Sequence, residues 1–182
     1  MNDAAERCDM NDRVTRRAVL AGVGSGVVAL AGCLGGGDGG EVDWRTATVE
    51  DTTTGETFAI ADVDRPVVLH TFATWCSTCF RQQQTLDTVH ERRGDEVTLV
   101  DLTIDDNDDP DEVADHAQSN GFDWRFGVAL AELTGSLANG IGNEIAVAPQ
   151  SPVIVVCPDG TSYALDKGGS ADTIEETVDT CA

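Results

Sequence analysis

The stretch from Pro66 to Gly94 restricts the possible folds more than any other part of the chain. Pro66-Val67-Val68-Leu69-His70-Thr71-Phe72 is a nearly continuous apolar run rich in β-branched residues. That is the pattern of a strand covered on both faces rather than one lying on a protein surface. After Cys76 the period changes: Cys79, Gln83, Leu86 and Val89 recur at helical spacing to about Arg92, and Gly94 ends the helix. A strand buried on both sides needs a layer above and a layer below. Here the strand runs straight into a helix that provides one of them, which predicts an α/β protein.

The rest of the chain repeats that rhythm. Trp44 to Val49 and Thr57 to Ile60 read as an N-terminal hairpin around Asp51-Thr52-Thr53-Thr54-Gly55, and Val97 to Ile104 is a second buried strand. Asp105-Asp106-Asn107-Asp108-Asp109-Pro110 reads as a solvated turn, with Asp109 and Pro110 starting a helix to about Asn120. Trp124 to Val128 is a short strand and Leu130 to Ala138 a helix. Val153 to Val156 is a third buried strand, with Ser162 to Leu165 its hairpin partner past Pro158-Asp159-Gly160. Ala171 to Thr180 closes as a helix capped by Ser170. This order predicts a mixed central sheet with helices on both faces.

Chemistry is concentrated in Trp75-Cys76-Ser77-Thr78-Cys79. Two cysteines separated by two residues at a strand-to-helix junction can close a small disulfide and open it again. Unpaired N–H groups and the positive end of the helix dipole stabilise a thiolate at the first cysteine. Cys76 is therefore the expected nucleophile. Cys79, one turn further in, is the expected resolving thiol. A zinc site would need two more ligands at compatible spacing, and His90, His116, Cys157 and Cys181 are single and scattered. No metal and no cofactor are expected, and His90 and His116 read as solvated helix residues. Cys157 ends a core strand and Cys181 the last helix. They either form a structural disulfide, worth about 3 kcal/mol by chain entropy, or remain a buried and a terminal free thiol.

The segment Val67-Val68-Leu69-His70-Thr71-Phe72-Ala73-Thr74-Trp75-Cys76-Ser77-Thr78-Cys79 resembles the active-site segment of thioredoxin-fold proteins, most of all the membrane-tethered TlpA/ResA-type thiol-disulfide oxidoreductases. The similarity spans roughly residues 45 to 180. It implies a thioredoxin-like three-layer fold with an N-terminal hairpin and a helical insertion after Leu102-Thr103-Ile104-Asp105. It also implies a cis proline against the cysteines, next to which an extended substrate chain pairs. Ser151-Pro152 matches that position best, with Ala148-Pro149 as the rival, so Trp75, Ser151 and Pro152 are the expected substrate-binding residues.

Three departures from the family pattern stand out. His70 lies six residues before Cys76, where thioredoxins carry a buried Asp that handles the resolving cysteine's proton. It is either that proton acceptor or a core histidine satisfied by backbone groups. Gln84 replaces the usual helix proline, so no kink is expected there. Ser77-Thr78 is neither Gly-Pro nor Pro-Pro, which leaves open whether partners are reduced or oxidised. Two other families are weaker matches. Sco-type copper chaperones use three residues between the cysteines and a distal histidine, and thiol peroxidases place Pro and Thr ahead of one reactive cysteine.

The N-terminus reads as an address. Arg16-Arg17 precede the uncharged run Ala18 to Leu34, 17 residues rich in Gly and too short to be a convincing membrane span. Thr15-Arg16-Arg17-Ala18-Val19-Leu20 resembles a twin-arginine export signal, and Leu30-Ala31-Gly32-Cys33 resembles a lipobox that makes Cys33 the lipidated mature N-terminus. The alternative is an uncleaved single-pass anchor. Residues 1–32 are thus expected to be a signal peptide, 33–43 a Gly-rich tether and 44–182 the exported domain. That placement implies a location on the outer face of the cytoplasmic membrane. The implied partners are thiols and disulfides of exported proteins, apocytochrome c among them in some relatives, together with a membrane redox partner. The chain itself is expected to be a monomer.

The charge balance excludes another class. Asp and Glu number 33 against 11 Lys and Arg, a formal net charge of −22, and such a surface repels nucleic-acid phosphate. Asp outnumbers Glu two to one and Lys167 is the only lysine, a composition that resembles proteins of salt-loving archaea. Pro66 to Phe80 and Ile145 to Pro158 contain no acidic residue. An uncharged window over Cys76 is the resulting expectation.

Overall fold

A computed structural model describes residues 42–181, so Arg16, Arg17, Cys33, the signal segment and most of the tether lie outside the described residues. Strands β1 (Val49–Glu50) and β2 (Thr57–Phe58) pair antiparallel as the N-terminal hairpin. The hairpin is shorter than its sequence pattern, because Trp44 lies in a turn instead of a strand. Its indole packs on Gly140, where a Cβ would come within 2.5 Å of the ring nitrogen. Burial of that large ring decides the local path.

Strand β3 (Val67–Phe72) leads into helix α1 (Ser77–Arg93), followed by β4 (Thr98–Thr103) and α2 (Pro110–Asn120). Next come β5 (Arg125–Val128), α3 (Ala131–Ile141), β6 (Val153–Val156), β7 (Ser162–Leu165) and α4 (Ala171–Val178). The five-stranded sheet has the order β5-β4-β3-β6-β7. Strands β3, β4 and β5 run parallel, whereas β6 and β7 are antiparallel. The expected mixed sheet is present with β3 at its centre, and α2 with β5 forms the expected insertion.

Local chemistry sets most boundaries. Asp109 accepts from Glu112 N while the Glu112 side chain accepts from Asp109 N, with Pro110 in the first turn, so α2 opens on a capping box. Ser170 Oγ accepts from Thr173 N and opens α4. Helix α1 is continuous through Gln84, as expected without a proline there.

Alternation along the strands sorts the core into two layers. Val68, Phe72, Leu99, Val153 and Val155 pack with Leu86 and Val89 of α1, Val113 of α2 and Ile174 of α4. On the other face Val67, Leu69, Val100, Leu102, Ile154 and Val156 meet Leu133 and Leu137 of α3 and Phe58 of the hairpin. Each fully buried Leu, Ile, Val or Phe contributes about 1.5–3 kcal/mol, so the two layers carry the fold. Gly127 lets the hairpin dock, since a Cβ there would meet Val49 Cγ1 at 2.5 Å.

Two sequence readings are corrected in this layer. His116 is half-buried, stacked on Phe72 with ring centroids 5.3 Å apart, and hydrogen-bonds Gln83 Oε1 at 2.9 Å. His90 lies beside Trp124 at 5.7 Å. Aromatic rings, Phe72 of β3 for His116 and Trp124 for His90, lie against both histidines, which the polar neighbours in sequence conceal. Among the described residues no helix is long and apolar enough to cross a membrane.

Cys157 and Cys181 form a disulfide, Cα to Cα 5.1 Å, tying the end of β6 to the turn after α4. Replacing both by serine should lower unfolding free energy by about 3 kcal/mol with little change in native spectra, read by denaturant titration. The core also holds one ionisable pair: the β3–β4 register sets His70 opposite Asp101, and both are fully buried. Burial pushes the His70 pKa below its ordinary 6.5 although Asp101 pulls it upward. The unfolded imidazole then takes a proton that the folded one resists, so the His70 contribution to stability is full above its unfolded pKa of 6.5 and is lost as pH drops below it. Thermal melts at fixed salt between pH 7.5 and 5.5 should show that decline, with a shallower slope in His70→Asn.

Candidate active site

Cys76 is the N-cap of α1, and its Sγ accepts from Cys79 N at 3.2 Å and lies 3.3 Å from Thr78 Oγ1. These are the donors that a thiolate at this position would use. Cys76 and Cys79 are joined as a disulfide, Cα to Cα 5.2 Å. Cys76 is 3% exposed and Cys79 0%, whereas Trp75 beside them is 65% exposed. One turn of helix thus orders the pair, with Cys76 buried next to exposed Trp75 and Cys79 deeper in the core.

The loop ahead of Cys76 is braced by residues that the sequence presents as a solvated turn. Asp108 is buried, accepting from Thr74 N at 2.9 Å, Thr74 Oγ1 at 2.7 Å and Thr103 Oγ1 at 2.6 Å. Asp105 accepts from the indole N–H of Trp75 at 2.5 Å. That bond, with further ones from Asn107, holds the Asp105 carboxyl below its ordinary range. The turn between β4 and α2 is therefore a strut for Thr74 and Trp75. Its alternating acids look like a solvated turn because their partners lie about thirty residues away.

A groove beside the loop leading into Cys76 is lined by Trp75, Ile104, Asp105 and Asp106 on one side and Val147, Ala148 and Pro149 on the other, and by neither cysteine. The expected uncharged window holds only for the second side; the first is acidic. The proline reading also changes. All described peptide bonds are trans, Ser151-Pro152 and Ala148-Pro149 included. A 3₁₀ turn, Ala148–Gln150, closed by Gln150 N donating to Val147 O at 2.8 Å, folds the segment so that Ala148 O lies 3.1 Å from Cys79 Sγ. Ser151 is fully buried behind that turn, with its hydroxyl 2.6 Å from Thr71 Oγ1. Trp75 lines the groove, whereas Ser151 and Pro152 are not among its lining residues.

His70 is not satisfied by backbone groups. Its Nδ1 lies 2.6 Å from Asp101 Oδ1 and its Nε2 2.9 Å from Lys167 Nζ. Because an ammonium or amine N–H faces Nε2, the ring proton belongs on Nδ1, donated to Asp101. Asp101 Oδ2 also accepts from Trp124 Nε1 at 3.0 Å and Gln83 Nε2 at 3.4 Å. Lys167 Nζ stands between His70 and Cys79, 3.5 Å from Cys79 Sγ and 3.1 Å from Ala148 O. Burial pushes its pKa down from 10.5 to about 8, partly offset by Asp101. Gln82 holds the Lys167 turn, accepting from Gly168 N at 2.7 Å.

Lys167 and Asp101 escaped the sequence reading, though each left a signal. Lys167 is the single lysine of the chain, and Asp101 is a carboxylate in the middle of a buried strand. Among the described residues no three His, Cys, Asp or Glu side chains gather as a metal site.

No protein-family model and no functionally curated protein matches the sequence. Solved structures do match. A thiol:disulfide interchange protein of the thioredoxin family from Chlorobium tepidum superposes with TM-score 0.64 at 17% identity, covering 80% of this chain and 99% of that one. A DsbF homologue from Corynebacterium diphtheriae gives 0.59 at 22% identity, covering 76% and 85%. BsSco, of the Sco family of cytochrome c oxidase assembly proteins, gives 0.59 at 14% identity, covering 78% and 95%. Strand order, helix placement and these superpositions agree: the chain has the thioredoxin-like fold, with a cysteine pair at the start of its central helix.

Proposed function

We propose that this chain is a thiol-disulfide oxidoreductase of the TlpA/ResA type, exported by the twin-arginine route, lipid-anchored at Cys33 and working outside the cell on exported proteins. The observation that carries the reading is the Cys76–Cys79 disulfide at the N-terminus of α1, its outer cysteine following groove-lining Trp75 and its inner sulfur facing a basic side chain. In the reducing direction the Cys76 thiolate attacks a partner disulfide, Cys79 attacks the resulting mixed disulfide, and the partner leaves with two electrons. The oxidising direction is the reverse. Exposed Trp75 and Val147 offer an extended partner chain an apolar contact. The acidic composition is read as adaptation to high salt, where surface repulsion is screened.

The copper-chaperone alternative has less support. Both ring nitrogens of His70 are engaged within the protein, and the cysteine spacing is two residues rather than three.

Trapping tests the proposal. In high salt, Cys79→Ser should accumulate mixed disulfides with oxidised exported proteins, seen as bands that disappear on reduction. Cys76→Ser should accumulate none. Equal trapping by both variants, or by neither while the wild type turns over a model disulfide, would refute the assigned roles.

A further inference from the structure

The side chain closest to handling a proton at Cys79 is not on the cysteine helix or on β3. It comes from the turn between β7 and α4. Lys167 Nζ has three neighbours within reach: His70 Nε2 at 2.9 Å, Ala148 O at 3.1 Å and Cys79 Sγ at 3.5 Å. The first two accept hydrogen bonds only, given the His70 tautomer. A neutral amine has two N–H groups and one lone pair. With its N–H groups given to His70 and Ala148, the lone pair is left toward the sulfur.

We propose that Lys167 is the catalytic acid-base group of Cys79, accepting the thiol proton when Cys79 attacks and returning one when Cys79 leaves, with His70 and Asp101 as positioning residues behind it. The proposal rests on the exchange reading above and assigns its second step. Once a partner sulfur is bonded to Cys76, the Cys79 thiol passes its proton to the Lys167 amine. Cys79 Sγ then attacks Cys76 Sγ; the Cys76–Cys79 bond forms, the Cys76–partner bond breaks, and the partner sulfur leaves with the electron pair. Lys167, half-buried, gives its proton to solvent. In the opposite direction a partner thiolate attacks Cys76, and protonated Lys167 neutralises the departing Cys79 thiolate.

Several charges and dipoles face this amine. Cys79 approaches from α1 and His70 from β3, and Asp101 lies behind His70 on β4. The Ala148 carbonyl faces it from the 3₁₀ turn, and exposed Asp166 adjoins it on its own turn. A lysine whose ammonium form is disfavoured by burial is ready to act as a base near neutral pH, whereas a solvated lysine is not. His70 fixes the amine's direction, and Asp101 fixes the His70 tautomer. Gln82 fixes the turn from which Lys167 projects.

The test isolates the resolving step. In the full chain carrying Cys8→Ser and Cys33→Ser, with the Cys76–Cys79 pair reduced, an aromatic disulfide (Ellman's reagent) should release two equivalents of coloured thiolate. The first comes from attack by Cys76 and the second, concentration-independent, from attack by Cys79. Lys167→Met should slow the second phase about 100-fold at pH 7.5 and move its pH inflection upward, leaving the first phase near wild type. Lys167→Arg keeps the positive charge but cannot take a proton, so it should also be slow. His70→Asn should shift the inflection with Lys167 intact. Gln82→Leu, which frees the turn without touching the lysine, should slow the same phase by less, and it serves as the independent variant should Lys167→Met fold poorly. An unchanged second phase in Lys167→Met, or its full recovery in Lys167→Arg, overturns the acid-base role. A wild type with no second phase at all would overturn the exchange reading instead.

Discussion

Strand β3 is covered on both faces, and that constraint governs the chemistry as well as the fold. A fully buried strand has no water to satisfy a polar side chain, so a histidine placed there must find its partners in protein. His70 finds Asp101 across the β3–β4 register and Lys167 across the β3–β6–β7 side. Those two partners bring charge into the layer that also buries Cys79. Cys79 Sγ therefore shares its environment with a polar chain that the strand's own burial makes necessary.

Electrostatics acts differently at the surface and at the site. Arg92 pairs with Asp172 and Glu175, and Arg93 with Glu96 and Asp179, each pair having at least one half-exposed or more exposed partner, where such pairs contribute little and salt weakens them further. His70 and Asp101, fully buried, lie out of the reach of that screening, and half-buried Lys167 is only partly exposed to it. In a protein with a formal charge of −22, interactions within the core keep their strength at salt concentrations that erase those outside. Asp105 and Asp106 at the groove edge belong to the screened class, and their repulsion of an acidic partner fades as salt rises.

What the sequence makes legible follows the range of the interactions. Caps such as Asp109 and Ser170, the apolar runs of β3, β4 and β6, and the cysteine pair at a helix start are all written within a few neighbouring residues, and each stands where its pattern places it. The misreadings concern contacts made far along the chain. Asp108 looks solvated until Thr74 folds onto it, and Trp44 looks like a strand residue until Gly140 accepts its ring. The approach of Ala148 to Cys79, in place of Ser151-Pro152, depends on a 3₁₀ turn whose local sequence carries no periodicity. Lys167 was visible as a composition anomaly, but its meaning depends on a turn 88 residues from the sulfur it faces.

The second disulfide gives that long separation a mechanical meaning. Cys157 and Cys181 close a covalent ring that contains β7, the Lys167 turn and α4. The terminal helix of a small domain frays readily, and a turn preceding it would share that motion. Inside the ring both ends of the segment are anchored to the end of β6, so excursions of the turn are bounded by a bond rather than by packing alone. In the proposed exchange the Cys76–Cys79 disulfide is the one opened and remade. The other ties the segment that carries Lys167 to the end of β6.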